Sequence, residues 1–340
     1  MDRFLRLPRG DRVQAFTQAA ARRGLPFASI EKDFWVCLLL REVFDLPEHG
    51  EHLTFKGGTS LSKAWGLIDR FSEDVDLTLD RAALGFAGER QPEAATSGKE
   101  QRRRLDRLKQ ACREAIRDQI QPALATRLAS LLAKDTWHLE PDRDAPDGQT
   151  LLFQYPRQEV ATASRYITPS VRLEFGARSD PWPVAPRTIS AIVAEEFPAL
   201  FRHAGCPVRA LRPERTFLEK VMLLHEETFR PQEKTRRPRM ARHYYDVWRL
   251  IEAGVGEQAI ADRHLFDQVA AHRKVYFRHT WVDYDTLARR TLRITPPAEH
   301  VEAWRKDYEA MRREMFAGTP PTFDEILARL TAFEAALNSR

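Results

Sequence analysis

A chain of 340 residues is long enough for two domains at roughly 100–200 residues each. With 43 % hydrophobic and 30 % charged residues it is neither disordered nor fibrous. Its net charge of +5 is too small to define a nucleic-acid binder by itself.

The first fifty residues read as two helices, with Asp11 as the cap of the first. Phe34, Val36, Leu38, Leu39 and Leu40 give the second an apolar body that must be buried. That run, 34–40, is the longest apolar stretch and falls far short of the roughly 20 residues of a bilayer span. The opening MDRFLRLPRGDR lacks the apolar region of a secretory signal, so the expected location is the cytoplasm, with no membrane partner. Cys37, Cys112 and Cys206 are odd in number and far apart, which predicts reduced, structural thiols.

Leu53 and Phe55 alternate with polar neighbours as a short strand, Gly57-Gly58 breaks it, and 59–65 reads as a helix. Strict alternation returns over 71–79, with Phe71, Val75, Leu77 and Leu79 on one face and Ser72, Asp74, Asp76 and Thr78 on the other. Residues 85–99 read as a flexible loop. A long charged helix follows over 100–132, a surface helix laced with ion pairs and interrupted at Pro122. Strand patterns at 136–139, 149–155 and 170–177 place a sheet within 50–210. After Pro213 the pattern is helical, at 214–229, 241–253, 300–316 and 323–337. The expected organisation is therefore N-terminal helices and a sheet-containing core over 1–210, then a helical domain over 211–340.

Between those helices, Arg230, Lys234, Arg236, Arg237, Arg239 and Arg242 stand against the single acid Glu233, with Pro231 and Pro238 preventing a helix. This basic loop is either a solvated connection or a strip that receives phosphates.

Chemistry concentrates in two short stretches. Two glycines between a strand and a helix let backbone N–H groups approach an anion, so Gly57-Gly58-Thr59-Ser60 reads as a phosphate seat. It is not a Walker A loop, because no Gly-Lys-Ser/Thr follows. Asp74 and Asp76 point the same way about 6.6 Å apart along a strand. Two such carboxylates repel unless a cation lies between them, and oxygen ligands on a strand suit Mg²⁺ or Mn²⁺. Glu174 is the candidate third carboxylate for two-metal phosphoryl chemistry; a surface pairing with Arg172 is the alternative.

Downstream, Lys220 lies beside the apolar positions Phe217 and Leu224, so its stem is half-buried and its ammonium wants an anion. A pairing with Glu227 would serve the same need. Asp246 shares a stripe with Arg242 and Arg249 and could simply pair Arg242. No HExxH or GxSxG occurs.

The order Gly57-Gly58-Thr59, Asp74-x-Asp76, then a strand carboxylate resembles polymerase-β-like nucleotidyltransferases. KGGTSLSK at 56–63 with RFSEDVDL at 70–77 is similar to the AbiEii/AbiGii nucleotidyltransferase toxins, a group that includes the MenT-like toxins. So are Ile30-Glu31-Lys32-Asp33-Phe34-Trp35-Val36, Phe217-Leu218-Glu219-Lys220 and Arg242-His243-Tyr244-Tyr245-Asp246, so that the likeness spans 30–250. The resemblance implies an α+β fold with a mixed-sheet nucleotidyltransferase core and a toxin of a toxin–antitoxin or abortive-infection system.

It also implies an NTP substrate, an RNA acceptor such as the tRNA 3′ end, and a transcriptional-regulator antitoxin. Asp74, Asp76 and Glu174 would hold the metal. Lys56, Gly57, Gly58, Thr59, Ser60, Ser72 and Lys220 would hold the nucleotide, with Asp246 in the active site. Arg236, Arg237, Arg239 and Arg242 would meet RNA. Transfer to a protein hydroxyl, or binding of RNA or a partner without catalysis, are the competing functions. Glu31, Lys32, Asp33 and His243 receive no role.

Overall fold

The computed structural model describes all residues except 71–73, 146, 158–168, 317–318 and 340. Two compact units emerge, the first built from 1–64 and 71–211, the second from 65–70 and 212–340.

The first unit opens with α1 (Asp2–Leu5), α2 (Arg9–Arg23) and α3 (Phe27–Phe44). Asp11 does not cap α2. Pro8 is its N-cap, because a proline's fixed φ suits a helix start, and Asp11 falls in the first turn, where its charge suits the helix dipole. Apolar on every side through its middle, α3 packs on the sheet at β5 (Ser170–Gly176) and β7 (Gly205–Leu211). Phe4 joins Phe16 and Phe34 in an aromatic cluster and stacks on Phe201 at 4.9 Å, while Trp35 stacks on Tyr155 at 5.5 Å.

The sheet also contains β1 (Leu53–Lys56), β2 (Asp74–Leu79), β3 (His138–Pro141), β4 (Thr150–Gln154) and β6 (Val184–Ser190). Its order is β3-β4-β5-β2-β1-β7-β6. β2 runs parallel to β5 and β1 parallel to β7, and the other neighbours are antiparallel. This is the mixed sheet of an α+β fold. β6 and β7 are not among the strands expected from the sequence and contain Pro186 and Pro207; β6 is an edge strand, where a missing N–H is tolerated.

Between the strands lie α4 (Gly57–Lys63), α5 (Gly98–Ala115), α6 (Gln121–Leu131) and α7 (Ile192–Glu196). Gly57 and Gly58 form the first turn of α4 rather than a loop. Residues 85–99 are not a loose loop. They hold two 3₁₀ turns, 88–90 and 92–94, and Arg104 donates to the carbonyls of Glu89 and Gln91 at 2.5 and 2.7 Å. A π turn at Ile116–Ile120 separates α5 from α6, just ahead of Pro122, whose ring and missing N–H disrupt the preceding ladder.

The second unit is helical, with α8 (Pro213–Thr228), α9 (Arg242–Glu252), α10 (Val255–Ala261), α11 (Arg263–Tyr276), α12 (Ala298–Met315) and α13 (Phe323–Asn338). α10 and α11 go beyond the helices expected from the sequence. Phe217, Leu218, Tyr244, Val247, Ile326 and Leu330 are among its buried core. No helix among the described residues is long and apolar enough to cross a membrane. Cys37, Cys112 and Cys206 are free and buried, as their spacing predicts.

Candidate active site

Alternation on β2 and β5 buries Val75, Leu77, Val171 and Leu173, which leaves Asp74, Asp76, Arg172 and Glu174 on the opposite, half-buried face. Parallel pairing sets Asp76 beside Glu174 and Asp74 beside Arg172. On the other side of β2, Lys56 of β1 is the register partner of Asp76, and its Nζ donates to Ser179 Oγ at 2.9 Å.

α4 is locked to this face at two points. The hydroxyl of Thr59 donates to the backbone carbonyl of Asp74. Gly57 has a φ of 76°, and a Cβ there would collide with the Asp76 carboxylate. Only glycine meets both conditions. Ser60 is buried in α4, and its hydroxyl has no hydrogen-bond partner among the described residues. Ser72, expected among the phosphate ligands, lies outside the described residues.

Arg172 does not pair with Glu174; its ion-pair partner is Asp142. Burial opposes the guanidinium charge, but the bond to Asp142 and the nearby Asp74 and Glu174 carboxylates hold its pKa above the usual arginine value. Among the described residues, no three acidic, histidine or cysteine side chains stand close enough together to hold a metal ion. Asp74, Asp76 and Glu174 are thus brought together in strand register, with the all-oxygen chemistry that suits Mg²⁺, but not as a closed ligand cage.

The second unit gathers the other candidates around a fully buried carboxylate. Asp246 on α9 accepts from Arg70 through both oxygens, at 2.7 and 2.8 Å, and from Lys220 of α8 at 2.9 Å. Burial pushes the Asp246 carboxyl up, yet the Arg70 and Lys220 charges overcome it and hold the pKa well below the carboxylate range. Burial lowers the Lys220 pKa; Asp246 opposes this while Arg70 and Arg242 reinforce it. His243 Nδ1 lies 3.4 Å from the Lys220 ammonium, and burial together with that charge depresses the imidazole pKa, so a neutral ring accepts there.

Neither pairing open in the sequence is formed. Arg242 bonds the carbonyl of Arg239 instead of Asp246, and Glu227 is taken by Arg230 and Arg236 rather than Lys220. Asp246 faces inward on α9, away from the solvated stripe on which its spacing appeared to put it.

Arg70 had no role in the sequence reading. Its partner is 176 residues away, and no local pattern announces such a pair. The same short segment is fastened to α9 again through Arg249, which donates to the carbonyl of Leu67 at 3.2 Å and pairs with Asp69 at 2.8 Å.

The basic loop is pinned rather than free. The backbone N–H groups of Arg239 and Ala241 donate to Asp307 at 2.7 and 2.8 Å. Arg236 is half-buried over Trp304 at 4.8 Å and bonded to His300, while Arg237 and Arg239 are exposed and Arg242 half-buried. In the first unit, Asp33 accepts from the first N–H of α7 at 2.6 Å and pairs with Lys63 at 2.7 Å, which gives this acid a structural task. Glu31 and Lys32 are buried on α3 beside it.

A mixed sheet with paired carboxylates beside a glycine-started helix carries the chemistry of a nucleotidyltransferase. The family of AbiEii nucleotidyl transferase toxins of type IV toxin–antitoxin systems matches residues 38–329, and the chain belongs to it. It is therefore a nucleotidyltransferase toxin, and its family brings an NTP substrate and an antitoxin partner.

No curated protein matches the chain. Solved structures similar to the chain include these two. The nucleotidyltransferase toxin MenT4 from Mycobacterium tuberculosis H37Rv has 17 % identity and a TM-score of 0.48, covering 98 % of this chain and 93 % of that one. JHP933 from Helicobacter pylori has 14 % identity and a TM-score of 0.40, covering 88 % of each.

Proposed function

We propose that the enzyme transfers a nucleoside monophosphate from an NTP to an RNA acceptor, the 3′ end of tRNA, with pyrophosphate leaving. The observation that carries this reading is the register of Asp74 and Asp76 with Arg172 and Glu174 on one polar face, against the glycine start of α4. Asp74, Asp76 and Glu174 are the residues that would hold Mg²⁺ or Mn²⁺, which when bound neutralises phosphate charge and activates the attacking hydroxyl.

The chain's own residues supply the rest. Lys56, Gly57, Gly58, Thr59 and Ser60 are the residues proposed to seat the phosphates at the start of α4. In the second unit Lys220, oriented by Asp246 and Arg70, is the phosphate-binding cation. Arg237, Arg239 and Arg242 offer charge to an RNA backbone, whereas Arg236 serves mainly to hold its loop. The partner this reading expects is a transcriptional-regulator antitoxin, in the cytoplasm.

Incubation with each labelled NTP, total tRNA and cell protein tests the reading. Label should run with RNA, and Asp76→Asn should lower transfer on the order of 10²–10³-fold or more. Mn²⁺ binding measured by calorimetry should weaken in the same variant. Label on a polypeptide, or unchanged transfer by Asp76→Asn, would overturn the proposal.

A further inference from the structure

The exposed side of α5 carries Lys99, Arg102, Arg103 and Arg107, with Asp106 and Gln110 among them. Lys99, Arg103 and Arg107 follow one another at i,i+4, a spacing at which like charges repel. Lys99 also lies in the first turn of the helix, where the macrodipole disfavours a cation. Internal pairing does not absorb this charge. Glu100 is shared by Arg103 and Arg104, and Asp106 lies 3.8 Å from Lys109. Lys99, Arg102 and Arg107 have no partner among the described residues.

The helix itself is held firmly. Leu108, Cys112 and Ala115 are buried, Arg113 donates to the Asp147 carbonyl at 2.5 Å, and α5 packs on β5, the strand of Glu174. The basic side is thus a rigid row, about 12 Å from residue 99 to residue 107 at about 1.5 Å per residue. An anionic partner would relieve its self-repulsion and release counterions. Six polar residues with no apolar anchor suit a phosphate backbone better than a protein surface, whose interface core needs one.

We infer that this side of α5 binds the phosphate backbone of the RNA acceptor, a contact additional to the loop of 230–242. The inference rests on the RNA-acceptor reading above.

A full-length variant with Lys99→Gln, Arg102→Gln, Arg103→Gln and Arg107→Gln tests it, with folding checked by its melting temperature. All four side chains are exposed, so the fold should hold. The affinity for tRNA is measured over a salt series by fluorescence anisotropy. Each lost phosphate contact should remove about 0.7 from the slope of log affinity against log salt, about 2.8 in all for a single strand. From about 50 to about 200 mM salt, the wild type should therefore lose about 50-fold more affinity than the variant. The KM for RNA should rise while NTP binding and kcat stay the same.

An unchanged slope, in a wild type that binds RNA, would overturn the α5 assignment alone. So would a variant that keeps RNA affinity but loses binding to an acidic protein antitoxin. A wild type that binds no RNA at any salt would overturn both this inference and the RNA-acceptor reading.

Discussion

Gly57 is held by two separate constraints, a positive φ and the carboxylate of Asp76 packed against its Cα. Gly57→Ala should cost about 1–3 kcal/mol in stability and displace Asp76, so that transfer falls further than the loss of folded protein explains. Urea unfolding beside a transfer assay checks both. Asp246 makes the opposite point, since its charge is needed by its neighbours. Asp246→Asn leaves Arg70 and Lys220 facing each other in a buried place and should cost about 3–5 kcal/mol. Because the folded carboxyl pKa is lowered, its stabilisation is complete above the unfolded value of about 3.9 and is lost as pH falls below it. The gap between wild type and variant should therefore narrow below about pH 4 in denaturant titrations. The sequence identifies Asp74, Asp76 and Gly57 because their signals are local, a period of two and a glycine pair. It gives no role to Arg70, whose carboxylate partner on α9 is 176 residues away.

Among the elements, those that carry their own punctuation were legible. α13 begins with a capping box in which the Thr322 hydroxyl accepts from the Glu325 N–H and the Glu325 carboxylate accepts from the Thr322 N–H. Thr322→Ala should lower stability by about 1 kcal/mol, read as a drop in melting temperature, with no change in NTP binding. α3 announces itself by an unbroken apolar run, and Pro122 marks the break after α5. β6 and β7 do not announce themselves. Each contains a proline, and each becomes a strand because the sheet supplies a neighbour, β7 for β6 and β1 for β7. The turns of 88–94 are likewise held from outside, by Arg104, so their composition suggests less order than they have.

For the molecule as a whole, acid should act through a buried neutral histidine. His225 is fully buried, its Nδ1 accepts from the Arg293 N–H at 2.9 Å, and burial lowers its pKa to about 4. A base with a lowered folded pKa is protonated first in the unfolded chain, so stability should fall as pH drops from about 6.5 to about 4, by about 3 kcal/mol. His225→Gln should make that part of the stability curve shallower, with the neutral His243 keeping the rest of the slope, measured by urea unfolding at a series of pH values. By itself the sequence indicated the acid pair on β2, the glycine pair after β1 and four of the helices that follow Pro213, because all of these show in periods and turns a few residues long. Tertiary structure decided which strands lie side by side, so that Asp76 meets Glu174, and which buried charges share a partner, so that 65–70 joins the second unit through Arg70 and Asp246. Those choices depend on packing between residues distant in the chain, where desolvation makes every buried charge answer to a partner that no local pattern names.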